Sequence, residues 1–272
     1  MLGVRGSTPA PGSDFVRYGG HTSCLAISAD GSEVPTLVLD AGTGLRSLTS
    51  LLDGRAFDGS ILLTHLHWDH MMGLPFFSAG DRADARVDLY VPVQDGRSGR
   101  DLLAQSFSPP AFPITPEGLH GAWSFRDLDC GQQIIEGFSV TPVEVEHKGG
   151  RTYCLRVEDE QGSLAYLPDH APAAGMSDRL RAALQGVDVL VHDAQFLDHE
   201  RPVAVDYGHA TVQDCIRLAH ELEVGTLVLF HHSPARTDDA LDEIEAWAAP
   251  MASKVPLIVA REGMILDAPG AG

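Results

Sequence analysis

The chain has 272 residues, 44% of them hydrophobic, enough to fill the core of one large α/β domain or two small ones. Its formal charge of −19 repels polyanions and argues against a dedicated nucleic-acid binder, whose affinity comes largely from lysine and arginine displacing phosphate counterions. No apolar run approaches the roughly 18 to 20 residues of a membrane span, residues 1–6 lack the apolar segment of a signal peptide, and the four cysteines form no CxxC pair; a reduced protein of the cytoplasm is the expectation.

In chain order, strands are predicted at residues 24–27 and 36–40, the second running into the glycine turn Ala41-Gly42-Thr43-Gly44-Leu45. A short buried strand follows at 61–64, then another at 87–91. Residues 94–121 turn polar and proline-rich, with Pro109, Pro110, Pro113 and Pro116, and read as a loop that either forms a surface excursion or overhangs a site as a lid. Further strands fit 139–145, 153–157, 164–167, 187–191, 226–230 and 257–259. Helices are predicted at 177–184, at 211–223, where Thr211 and Asp214 have capping-box spacing, and at 238–249, where Asp238 and Asp239 favour the helix dipole. The first half reads as many strands with few helices. No repeat or linker divides the chain, so residues 1–272 are expected to form one domain.

The densest chemistry is Thr64-His65-Leu66-His67-Trp68-Asp69-His70, which places four potential metal ligands within six residues at the end of the 61–64 strand. A lone histidine on an apolar face is usually a satisfied core residue. Burying three imidazoles and a carboxylate together, however, costs several kcal/mol unless a cation pairs with them, so this cluster predicts a metal site. Later strands hand similar groups to their C-terminal ends: His147 after the 139–145 strand, Asp169 after 164–167, and His231 after 226–230. The alternating geometry of a strand end lets only one of His231 and His232 face the metals easily. His170 and His232 adjoin candidate ligands and are candidates for the pocket wall. His21, His120, His192, His199 and His220 read as surface or structural residues.

His65, His67, Asp69 and His70 form an HxHxDH run, and with the later positions the chain resembles the metallo-β-lactamase-fold hydrolases. The resemblance implies a four-layer αββα sandwich holding two divalent metal ions, zinc foremost, with manganese or iron as alternatives. It places His65, His67 and His147 on one ion, Asp69, His70 and His231 on the other, and Asp169 as a bridge. It also favours His231 over His232 and puts Asp40 beneath the metals, hydrogen-bonded to a ligand histidine.

Within that family, Tyr166-Leu167-Pro168-Asp169, the run from Val191 to Phe196, Gly208-His209-Ala210-Thr211 and Phe230-His231-His232-Ser233-Pro234 resemble the phosphodiesterase branch that includes ribonuclease Z. The segments from Gly3 to Pro9 and from Arg17 to Cys24 look like a bacterial subgroup of it. The implied roles are Asp69 as metal ligand and proton acceptor from the attacking water, His209 as stabiliser or proton donor at the scissile phosphate, and Asp193 as the carboxylate orienting His209. The expected function is hydrolysis of a small or cyclic phosphodiester. The alternatives are lactone, ester or thioester hydrolysis on the same metals, and a metal-binding accessory protein without turnover. The expected partner is a small anionic substrate, and the branch makes a homodimer plausible. A nucleic-acid polymer is not expected, because no glycine-rich basic arm for transfer RNA is found.

Overall fold

Alternating apolar side chains along the strands divide the interior into three hydrophobic layers. The computed structural model describes residues 1–267. Its first sheet has the order β1 (Leu25–Ile27), β2 (Leu37–Leu39), β3 (Asp58–Leu62), β4 (Arg86–Pro92), β5 (Ala122–Leu128). β1 pairs antiparallel with β2, and the remaining pairs are parallel. The second sheet runs from β12 (Leu257–Val259) through β11 (Thr226–Phe230), β10 (Val189–Asp193), β9 (Ser163–Leu167), β8 (Thr152–Glu158) and β7 (Phe138–Val145) to β6 (Gln133–Ile135). β9 to β12 are parallel, whereas β6 to β9 form an antiparallel meander.

Period-two alternation decides which layer each side chain joins. Leu37, Leu39 and Leu62 point between the sheets, where they meet Tyr153, Tyr166, Val191 and Phe230. Their neighbours Val38 and Ile61 point the other way, onto α1 (Leu45–Leu51) and α3 (Gly99–Ser106). Leu190, Leu227 and Leu229 likewise face α4 (Asp178–Leu184), α6 (Val212–Glu221) and α7 (Asp238–Met251). The four layers are therefore helix, sheet, sheet, helix. Each fully buried leucine or phenylalanine contributes about 1.5 to 3 kcal/mol, so both faces of each sheet must be covered for the fold to hold.

The predicted strands are present, with two shifts: the strand expected at 61–64 is Asp58–Leu62, and that expected at 187–191 is Val189–Asp193. Pairing with β9 starts at Val189 opposite Leu164, while Asp188 is engaged with Ser163, accepting from its backbone N–H at 2.8 Å. The strand continues through His192 and Asp193, polar residues that are fully buried here. The segment 94–121 is more ordered than a loop. It contains α3, started by Ser98, whose hydroxyl accepts from the Asp101 N–H, and anchored by buried Leu102 and Leu103. This makes it the crossover between parallel strands β4 and β5. α1 was hidden beside the glycine turn, and α5 (Arg201–Tyr207) carries three exposed apolar side chains, so neither showed a clear amphipathic period.

Because β7 and β9 point the same way across the meander, the C-terminal ends of β2, β3, β7, β9, β10 and β11 all supply residues to one edge of the sandwich. Open α/β sheets place their ligand sites at such an edge. Among the described residues no helix is long and apolar enough to cross a membrane.

Candidate metal centre

The nine predicted site residues converge at that edge. After β3 the chain passes His65, reaches His67 in extended backbone and enters the single turn α2 (Trp68–Met71), which carries Asp69 and His70. His65, His67 and His147 form one triad whose ligand atoms lie within 4.8 Å of one another, and Asp69, His70 and His231 form a second. Asp169 lies between the two. Its Oδ1 is 3.4 Å from His147 Nε2, and its Oδ2 is 2.9 Å from His70 Nε2 and 3.4 Å from His231 Nε2.

Two of these positions depend on left-handed backbone at strand ends, where a non-glycine residue costs on the order of 1 to 3 kcal/mol. Asp40 follows β2 at φ 60°, and His231 follows β11 at φ 58°. The turn at His231 sends consecutive side chains apart. His231 Nε2 stands 3.2 Å from Asp69 Oδ2, whereas His232 donates from Nε2 to the Ala260 carbonyl at 2.9 Å, away from the cluster. Burial pushes the His232 imidazole down to about 3, so it stays neutral there.

The hydrogen bonds around the cluster fix the tautomers. His70 Nδ1 donates to Asp40 Oδ2 at 2.7 Å, and His147 Nδ1 donates to the Gly208 carbonyl at 2.7 Å. His65 Nδ1 is 3.1 Å from the Thr64 hydroxyl, whose own proton is directed to Asp40. Each of these rings is left with an Nε2 lone pair aimed inward, and His65 Nε2 is buried without any hydrogen-bond partner. Lone pairs facing carboxylates and other lone pairs repel, so the cluster requires positive charge within it. A set of imidazole nitrogens and carboxylate oxygens at this spacing fits divalent transition metals. Burial and then neighbouring His70 hold His65 well below the usual histidine range, in the neutral form that metal ligation needs.

His209 and Asp193 meet beside this centre. His209 Nδ1 donates to Asp193 Oδ2 at 2.9 Å, and its ring centroid lies 5.0 Å from that of His147 and 5.3 Å from that of His231. Burial opposes a charge on His209, but the Asp193 carboxylate outweighs it and pushes the imidazole up to about 9. Asp193 is itself held by backbone N–H groups of His170, Gln195 and Ala210. The aspartate therefore has reach enough to pair with His209.

His170 departs from the expected pocket wall. It is buried, and its Nδ1 reaches His192 Nε2 at 3.1 Å in a network behind Asp193. Sequence reasoning also passed over the N-terminal segment as part of the site. The backbone N–H of Ser7 donates to Asp69 Oδ2 at 2.7 Å, and Gln195 Nε2 donates to the Ser7 hydroxyl at 3.0 Å. Arg5, wholly buried, fixes this segment by donating to the Gly19 and Arg236 carbonyls. The run from Gly3 to Pro9 was the available signal.

The profile of the beta-lactamase superfamily domain matches residues 36–232, which span the strands bearing every proposed ligand. The chain belongs to the beta-lactamase superfamily. The chain is a metal-dependent hydrolase of that superfamily. Ribonuclease Z of Halalkalibacterium halodurans is 26% identical over 231 residues, covering 69% of this chain and 74% of that protein. Among solved structures, the metallo-β-lactamase fold protein YhfI from Bacillus subtilis superposes with TM-score 0.73 at 17% identity, covering 98% of both chains. A diphosphatase from the PhnP family superposes with TM-score 0.63 at 20% identity, covering 98% of this chain and 95% of that one. At such identities the structural likeness speaks for the fold alone.

Proposed function

We propose that this superfamily hydrolase is a phosphodiesterase that uses two divalent metal ions, zinc foremost, to cleave a small anionic phosphodiester. The observation that carries the reading is the His209–Asp193 pair at 2.9 Å, set against the edge of the imidazole and carboxylate cluster. Phosphodiester cleavage expels an alkoxide, a poor leaving group that gains from a proton donor at its side of the phosphorus. Relatives named ribonuclease Z over most of the chain agree with that chemistry.

His65, His67 and His147 would hold one ion and Asp69, His70 and His231 the other, with Asp169 shared. The bound ions supply Lewis acidity toward the phosphoryl oxygens and an activated water. The chain's own residues do the rest. Asp69 Oδ2, held in place by the Ser7 N–H, is positioned to take a proton from the attacking water. His209, its Nδ1 proton engaged by Asp193, offers Nε2 as the atom that passes a proton to the leaving oxygen. Asp40, the Thr64 hydroxyl and the Gly208 carbonyl orient ligand rings and keep their Nε2 atoms unprotonated toward the ions.

A small substrate is favoured over transfer RNA by the acidic balance of 38 carboxylate to 19 basic side chains, which would repel a polyanion beyond the reach of the metals. The test is hydrolysis of bis-para-nitrophenyl phosphate by protein loaded with zinc or manganese, beside a panel of lactones and thioesters. Turnover of the phosphodiester that Asp69→Asn abolishes without unfolding the protein supports the reading. Cleavage of the lactones or thioesters alone overturns it, and metal analysis giving fewer than two ions per loaded chain removes its dinuclear part.

A further inference from the structure

Beyond the metal centre, a groove of about 610 Å³ opens along α1 and α2, bordered by Pro9, Arg46, Met72 and Phe76. That volume falls within the roughly 300 to 1,000 Å³ of small-molecule sites. It begins near the candidate metal centre. Pro9 is two residues from Ser7, whose N–H holds Asp69, and two residues of chain reach at most about 7 Å.

Trp68, Met72 and Phe76 follow one another at intervals of four residues through α2 and the helical turn after it, and are 70%, 36% and 65% exposed. Trp68 and Met72 lie one helical turn apart, and Phe76 ends the 3-10 turn that follows. Of the three, Met72 and Phe76 line the groove. Their neighbours His70, Met71, Leu74 and Phe77 are buried.

Arg46 supplies charge. It pairs with no carboxylate among the described residues, although acidic side chains outnumber basic ones 38 to 19. Arg17, Arg86 and Arg201 are paired with aspartates, whereas Arg55, Arg97 and Arg179 share with Arg46 the lack of a carboxylate partner among the described residues; of these four, Arg46 borders the groove. An unpaired guanidinium at a groove with an exposed aromatic ring matches a flat ring bearing a second anion.

We propose that this groove is a subsite for the part of the substrate beyond the scissile phosphodiester, and that it accepts a nucleobase on Met72 and Phe76 and a terminal phosphate on Arg46. The substrate class is then a short phosphorylated nucleotide rather than an unadorned diester. This rests on the phosphodiesterase reading, and binding separates the two.

The experiment measures equilibrium binding to the metal-loaded protein of two adenine dinucleotides with a cleavage-resistant phosphorothioate linkage, one carrying a 5′-phosphate and one without it. The wild type is expected to bind the phosphorylated form about tenfold or more tightly, and Arg46→Gln to erase that difference. Phe76→Ala should weaken both, with Phe76→Tyr restoring them. Hydrolysis of bis-para-nitrophenyl phosphate by Arg46→Gln should stay within about twofold of wild type, as expected when only remote binding is lost. Equal affinity of the wild type for the two dinucleotides, or a preference that survives Arg46→Gln, overturns the subsite whether or not the protein cleaves phosphodiesters. Loss of bis-para-nitrophenyl phosphate hydrolysis in parallel with binding overturns it too, since Arg46 would then act at the metal centre.

Discussion

His70 Nδ1 lies 2.7 Å from Asp40 Oδ2, both side chains being wholly buried, and this contact links the end of β2 to the candidate metal centre. Asp40 also accepts from the backbone N–H and hydroxyl of Thr64. One carboxylate thus orients His70 directly and His65 through Thr64, which explains why it is held in left-handed backbone at φ 60°.

Asp40→Asn is expected to weaken metal binding by about 10- to 100-fold, the usual cost of losing a partner that orients a ligand ring. An amide still fits the space but accepts protons less strongly than a carboxylate. Competition with a chromogenic chelator measures the change. Affinity equal to wild type would show that Asp40 serves only the fold.

His209→Ala should keep its metal and lose about 10²- to 10⁴-fold in kcat on a phosphodiester, the range for a proton-transfer group. Asp193→Asn should lose less, about 10- to 100-fold, and its pH profile should change as well. The sign follows from the raised value of His209. Its protonated form persists as pH rises until about 9, and removing the Asp193 carboxylate moves that loss to lower pH. A lower kcat with an unmoved alkaline limb would assign Asp193 to packing alone.

The candidate ligand cluster was legible because four of its residues sit within six and the others end apolar runs, patterns that a strand edge explains directly. The layered fold followed from the same runs, since buried parallel strands read as continuous apolar segments. What could not be read was conformation that no side-chain pattern encodes. The left-handed turn at His231 parts it from His232, and β10 continues through His192 and Asp193, where burial is satisfied by hydrogen bonds rather than by hydrophobicity. The place of Ser7 against Asp69 joins residues 62 apart through a backbone donor, which carries no residue signature at all.

Gly6→Ala tests that N-terminal contact. A Cβ at position 6 would stand 2.3 Å from His231 Nδ1 and 2.4 Å from its Cε1, so the ring or the segment must shift. A displacement of that kind at a catalytic centre costs on the order of 10²-fold in rate. The expected result is lower activity together with weaker metal retention, read by kinetics and by metal analysis after dialysis. Wild-type values for both would mean that the segment moves freely away from His231.

Asp214→Asn addresses stability at a distance from the metals. Asp214 is the third residue of α6; its carboxylate accepts from the Thr211 hydroxyl at 2.8 Å, from Arg201 at 3.0 Å and from Arg217 at 3.1 Å, while its own N–H donates to Thr211. Burial opposes its charge, but these donors outweigh it and hold the carboxyl below its ordinary value. A depressed folded value gives stability that is present above the unfolded value, about 3.9, and lost as pH falls through the folded one. The variant should therefore be less stable at pH 7 by about 0.5 to 2 kcal/mol, the range for a helix cap, and the gap should close progressively below about pH 4. Urea unfolding at pH 7, 5 and 3 measures it. A gap that stays constant across the series would mean that the charge of Asp214 is not what stabilises α6.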